Sequence, residues 1–153
     1  MKSFNHLFSL LLFTSISFSQ IVDESLPLKP SDQQGNIIQR YEKIILENDN
    51  NQILRLSGLI TEQSNFVRKV IKEKLFTDNK YINAIHIDDV LNILRDMIEK
   101  KLTAKVINGV MPLTTMYSDF DNAFKGTPVN AAVKSIHYND EAKFKIKTIK
   151  ELA

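Results

Sequence analysis

An uncharged run from Leu7 to Phe18, interrupted only by Ser and Thr, decides how much of this chain is left to fold. It follows Lys2 and is about half the roughly 20 residues that a membrane-spanning helix requires. Small residues stand at Ser17 and Ser19, the third and first positions before Gln20. A basic start, a short apolar run and small residues before a cut are the order of a secretory signal, so the run predicts a signal peptide over 1–19. An uncleaved amphipathic anchor or a buried first helix would carry polar residues at helical spacing, which the run lacks. The expectation is an exported protein, periplasmic or secreted, with no transmembrane anchor after cleavage.

The chain has no cysteine, so no disulfide staples it and no thiol serves as nucleophile. Stability must come from packing, and residues 20–153 are enough for one domain to bury a core unaided. The formal net charge is only +2, with lysines interleaved with acids, which excludes a strong field toward nucleic acid.

Residues 20–35 carry Pro27, Pro30 and scattered polar residues without an apolar period, and read as an extended leader. A helical domain is predicted over 36–153. Its first helix starts near Asn36, presents Ile37, Tyr41, Ile44 and Ile45, and ends at the turn Asn48–Asn51. A short helix then opens at Asp49 and carries Ile53, Leu54 and Leu56 as far as Gly58. Thr61 to Phe76 reads as a third helix, with Phe66, Val67, Val70, Ile71 and Leu75 on its apolar face. Tyr81–Ile85 fits either a strand or a helical turn.

The strongest helical period starts at Asp88 or Asp89 and runs through Leu91, Leu94, Ile98, Leu102 and Val106 to a cap at Asn108-Gly109. The competing reading of that dipeptide is a hairpin turn, which Pro112 disfavours. Ser118 with Asp121 marks a one-to-two-turn helix. Thr127-Pro128 opens another through Val129, Ala132, Val133 and Ile136. Residues 141–153 fit a helix or, with 132–138, a short C-terminal β-hairpin. The fold class that results is mainly α, a small single-domain helical bundle.

No chemistry is announced. The four glycines form no phosphate loop, and no nucleophile elbow or His-Glu-x-x-His occurs. His86 and His137 stand in no metal-ligand spacing, and no metal or cofactor is expected. The acids Asp88, Asp89, Asp96, Glu99, Asp119 and Asp121 are the candidates for a dispersed carboxylate pair. Lys143, Lys145, Lys147 and Lys150 are the densest charge feature, and a solvated face is the default reading of them. The apolar loop Val110, Met111, Leu113, Met116 and Tyr117 has no period and must be buried against the chain or a partner, which makes it the candidate binding surface. The sequence therefore favours an exported non-catalytic interaction module, inhibitor- or immunity-like, that binds a protein or envelope component. The alternatives are a small secreted hydrolase using the carboxylates and a small-molecule carrier with a cavity between its helices.

Overall fold

The computed structural model describes residues 7–10, 21–75, 78–137 and 149. In chain order its elements are β1 (Leu7–Leu10), β2 (Ile21–Val22), α1 (Gln33–Leu46), β3 (Ile53–Leu56) and β4 (Gly58–Ile60). There follow α2 (Phe66–Glu73), β5 (Ala84–His86), α3 (Ile87–Ile98), β6 (Val106–Gly109), a 3-10 turn at Tyr117–Asp119 and β7 (Ala132–Val133). The strands β1, β3 and β6 form one sheet in the order β1-β3-β6, all parallel, with Leu7 opposite Ile53 and Leu54 opposite Ile107. Two smaller parallel pairs, β4 with β5 and β2 with β7, extend it. The class is α/β with parallel strands, which overturns the mainly α bundle.

The helices that survive from the sequence are those with a cap and an apolar face. Asp32 caps α1 by accepting from the Gly35 amide at 2.6 Å, three residues earlier than expected. Asn65 caps α2 at the Arg68 amide, and Val67 and Val70 turn inward. The helix through Asp88 is capped by His86, whose Nδ1 accepts from the Asp88 amide at 3.2 Å.

Where strands replace predicted helices, a short apolar run is buried on both faces and periodicity has too few residues to decide. Ile53 and Leu54 are 0 % and 2 % exposed, as the central strand of a parallel sheet requires. The Asn48–Asn51 turn does form, with Asn51 Nδ2 donating to the Ile45 carbonyl at 3.0 Å. The predicted helix through Val106 stops at Ile98 because Lys100 adopts φ 57°, a left-handed stop. Val106 then belongs to β6, which pairs in parallel with β3 and makes no hairpin. Between Thr127 and His137 the expected helix gives way to an extended segment containing β7. The Ser118 helix is reduced to the single 3-10 turn. Leu7–Leu10, within the run read as a signal peptide, is β1 of the sheet. The alternatives offered for 141–153 fall outside the described residues, apart from the buried Ile149.

Adjacent residues of a strand face opposite sides. Arg55 donates from Nε and Nη2 to the two carboxylate oxygens of Glu42 on α1, at 3.0 and 2.7 Å. Leu54 joins Ile85, Val90, Ile93, Met97 and Ile107 in one apolar cluster. So α1 and α3 cover opposite faces of β3, although both connections step the sheet in the same direction. The two crossovers are therefore of opposite hand, and one departs from the right-handed rule. The second cluster, around Ile60, Val67, Val70, Met111, Tyr117 and Phe124, lies under β4 and α2.

Glu42 is 3 % exposed, so truncating its partner strands a buried charge. Arg55→Met is expected to cost about 3–5 kcal/mol in urea denaturation, and Glu42→Leu with Arg55→Met to recover most of it. A single-variant loss below about 1 kcal/mol contradicts a tight buried pair.

Candidate functional site

Open parallel sheets receive ligands beyond the carboxyl ends of their strands. Here that end is built from Ser57 and Gly58 after β3, the loop Thr61–Asn65 after β4, and Val110 after β6. Ser57 ties the first to the last by donating its amide and its hydroxyl to the Gly109 carbonyl at 3.0 and 2.8 Å. The loop is a compact turn: the Thr61 amide donates to the Ser64 carbonyl at 2.9 Å, and Thr61 Oγ1 accepts from the Ser64 amide at 2.9 Å. Beyond it, α2 keeps Val67 and Val70 in the core and turns Arg68, Lys69 and Lys72 outward.

The segment 126–136 is held at this end of the molecule by amide side chains. Asn83 Nδ2 donates to the Ala131 carbonyl at 2.9 Å, while its Oδ1 accepts from the Val133 amide at 2.8 Å. Asn130 returns the arrangement, accepting from the Tyr81 amide at 2.7 Å and donating to the Tyr81 carbonyl at 3.0 Å. Asn79 donates to the Gly126 carbonyl at 3.1 Å, and Asn108 to the Lys134 carbonyl at 2.9 Å. Glu24 accepts from the Asn108 amide at 2.7 Å, the Ser135 hydroxyl at 2.5 Å and the Ile136 amide at 2.9 Å. Each amide occupies the position of a neighbouring strand's peptide group. Nothing in the local sequence marks these residues; the available signal was Asn83 and Asn108 standing among Tyr, Ile, Ala and Val.

The loop expected to bind a partner is mostly taken up by the chain itself. Val110, Met111 and Tyr117 are buried, with the Met111 amide bonded to the Ala84 carbonyl and the Tyr117 amide to the Lys80 carbonyl. The Tyr117 ring stacks on Phe124 at 5.2 Å, and burial pushes its hydroxyl pKa up to about 12. Met116 is half-buried and only Leu113 is exposed.

The candidate carboxylates serve local roles. Asp119 accepts from the Met116 amide at 2.9 Å, Asp121 from the Ala123 amide at 2.8 Å, and Glu99 pairs with Lys101 at 2.5 Å, a hydrogen bond that lowers the Glu99 pKa. Asp89 is 1 % exposed in the first turn of α3, where the helix dipole favours its charge. Among the described residues no three His, Asp or Glu side chains gather to hold a metal. A cleft of about 530 Å³ opens at the opposite end of the sheet, between Asn48–Gln52 and Lys100–Lys105. Its groups are largely engaged: Gln52 Nε2 bonds both Leu102 and Ala104 carbonyls at 2.9 Å, and Lys105 Nζ bonds the Asp49 carbonyl.

No family model matches the chain, and no curated protein matches it in sequence. Solved structures do. A Methylobacillus flagellatus protein described as an NAD-dependent epimerase/dehydratase superposes with a TM-score of 0.63 at 17 % identity, over 86 % of this chain and 55 % of its own. A dTDP-4-dehydrorhamnose reductase of Yersinia enterocolitica superposes with a TM-score of 0.57 at 14 % identity, over 89 % of this chain and 59 % of its own. The chain thus spans little more than half the length of either. The likeness defines the class of fold, a Rossmann-like α/β architecture. It overturns the helical interaction module in its premise: the grooved bundle on which that reading stood is replaced by a parallel-sheet α/β architecture.

A nicotinamide dinucleotide in such a fold is seated by three glycines within six residues, at a strand-to-helix turn. The glycines here, at 35, 58, 109 and 126, include no such set. A Cβ at Gly58 would stand 2.6 Å from the Phe66 ring, and one at Gly109 would stand 2.9 Å from Leu56 Cδ2. Both are packing glycines, and neither offers the glycine cradle that seats a dinucleotide's pyrophosphate.

Replacing Asn83 with Leu removes both bonds to the β7 segment. The expected loss is about 1–3 kcal/mol in urea denaturation, with faster hydrogen exchange at the Val133 amide. Unchanged exchange at Val133 contradicts the amide's role.

Proposed function

We propose that the chain is the ligand-receiving part of an oxidoreductase-type α/β enzyme, and that its ligand is a nucleotide-linked sugar of the kind named for the Yersinia reductase. The observation that carries this reading is the fold likeness to two proteins of sugar-epimerase, dehydratase and reductase description across 86 % and 89 % of this chain. The chain's own residues support it at the carboxyl end of the strands. The turn Thr61–Asn65, which carries the exposed Glu62, leads directly into α2, whose exposed face bears Arg68, Lys69 and Lys72. A diphosphate is the group such a face suits, by charge-assisted hydrogen bonds. The role assigned to this chain is to bind and orient the sugar nucleotide; no redox step is derived from its residues.

Calorimetric titration of the full chain with dTDP-glucose tests the proposal. Saturable binding with Kd in about the micromolar to millimolar range is expected, weakened at least about tenfold in the Lys69→Glu, Lys72→Glu variant. No binding to a folded chain, or binding indifferent to those charges, sinks the reading.

A further inference from the structure

We infer that this chain takes its sugar-nucleotide ligand without a glycine cradle of its own for a nicotinamide dinucleotide, so that a dinucleotide's pyrophosphate is seated by another polypeptide segment. The inference rests on the function proposed above and deepens it by dividing the two ligands between two bodies. Three observations carry it.

The first is the state of the strand ends. In parallel α/β folds a phosphate approaches the backbone where a strand passes into a helix, and glycine is used there because a side chain would block the approach. Gly58 is the glycine that follows the central strand, at the start of β4. Its open side is already filled: a Cβ there would meet two carbons of the Phe66 ring at 2.6 Å and the Asn83 carbonyl at 3.2 Å. Gly109, which ends β6, is covered by Leu56 and Leu54, at 2.9 and 3.3 Å from the same constructed position. Both glycines exist to let the chain's own apolar side chains close over the strand ends.

The second observation is the route of the chain after β3 and β5. β3 passes through Ser57 into β4, which pairs with β5, rather than into a helix pointing its free N–H groups at a ligand. β5 does pass directly into a helix, α3, but His86 Nδ1 accepts from the Asp88 amide and the acids Asp88 and Asp89 fill the first turn. Two carboxylates at that terminus repel a pyrophosphate. The third is Gly35, which lies inside α1, where a Cβ would meet Pro30 Cβ at 2.9 Å and the capping Asp32 Oδ1 at 3.2 Å. It faces an acid and a proline rather than an open cradle. Gly126 has φ 86° and open space beside it, but no second glycine within reach to make a cradle.

The experiment is a pair of titrations on the full chain. NADH and NADPH are added while nicotinamide fluorescence is followed; the chain has no tryptophan to contribute a background. No saturable signal is expected up to about 1 mM, and the Kd of dTDP-glucose is expected to stay within about twofold when 1 mM NADH is present. Saturable NADH or NADPH binding below about 100 µM overturns the inference. So does a sugar-nucleotide affinity that rises about tenfold with NADH. Gly58→Ala and Gly109→Ala supply a second readout: a lowered Tm with no change in any nucleotide signal is the packing result, whereas loss of a nucleotide signal at an unchanged Tm contradicts it. Failure of dTDP-glucose to bind removes the proposed function and leaves the NADH result interpretable on its own.

Discussion

The bidentate contact between Arg55 and Glu42 fixes the frame on which the remaining elements are hung. It sits on the central strand, and it forces α1 onto the face of the sheet that Arg55 occupies. A strand alternates by geometry, so Leu54 must then face the other way, and the α3 cluster forms where Leu54 points. Leaving either charge without the other in that setting costs far more than a surface pair contributes. The pair therefore acts as a register pin: a slip of one residue at β3 would turn a guanidinium into the apolar cluster and Leu54 toward a carboxylate.

A second set of polar groups attaches the outer segments to this frame. Parallel strands this short contribute few ladder bonds, and the chain compensates with side-chain amides and the Glu24 carboxylate bonded to backbone. Such groups carry direction, which apolar packing does not. They bring the segment 126–136 to the carboxyl end of the sheet. The proposed binding face and the structural stitching thus share one end of the molecule, while at the cleft of the other end Gln52 and Lys105 are bonded to backbone carbonyls.

Legibility in the sequence followed the length of the periodic signal. The helices α1, α2 and the start of α3 are readable from their apolar spacing, although the caps that begin them, Asp32, Asn65 and His86, differ from the starts the sequence suggests. The strands were not. A buried parallel strand is a short continuous apolar run, and Ile53–Leu56 has the same content as a turn of buried helix. Val106 continued the phase of Ile98 and Leu102 by coincidence, since spacings of four satisfy a period of 3.6 and a period of 2 alike. The run containing Leu7–Leu10 shows the same ambiguity, because an apolar strand and the core of a signal share one composition. At the site, the apolar loop after β6 was rightly marked as needing burial; Met111 and Tyr117 find that burial within the chain. The amide stitching was illegible because its partners lie about 50 residues apart in sequence, as Asn83 does from Val133.

The account stands on β6 being a strand beside β3 rather than the last turns of a helix begun at α3. Nuclear Overhauser contacts between backbone protons of residues 53–56 and 106–109 measure this directly. Cross-strand contacts in the parallel register that places Leu54 opposite Ile107, with none of the i to i+3 helical pattern across Lys100 to Val106, are the predicted result. An unbroken helical pattern from Asp88 to Val106, without contacts to Leu54, would contradict the sheet and with it the fold likeness on which the functional reading depends.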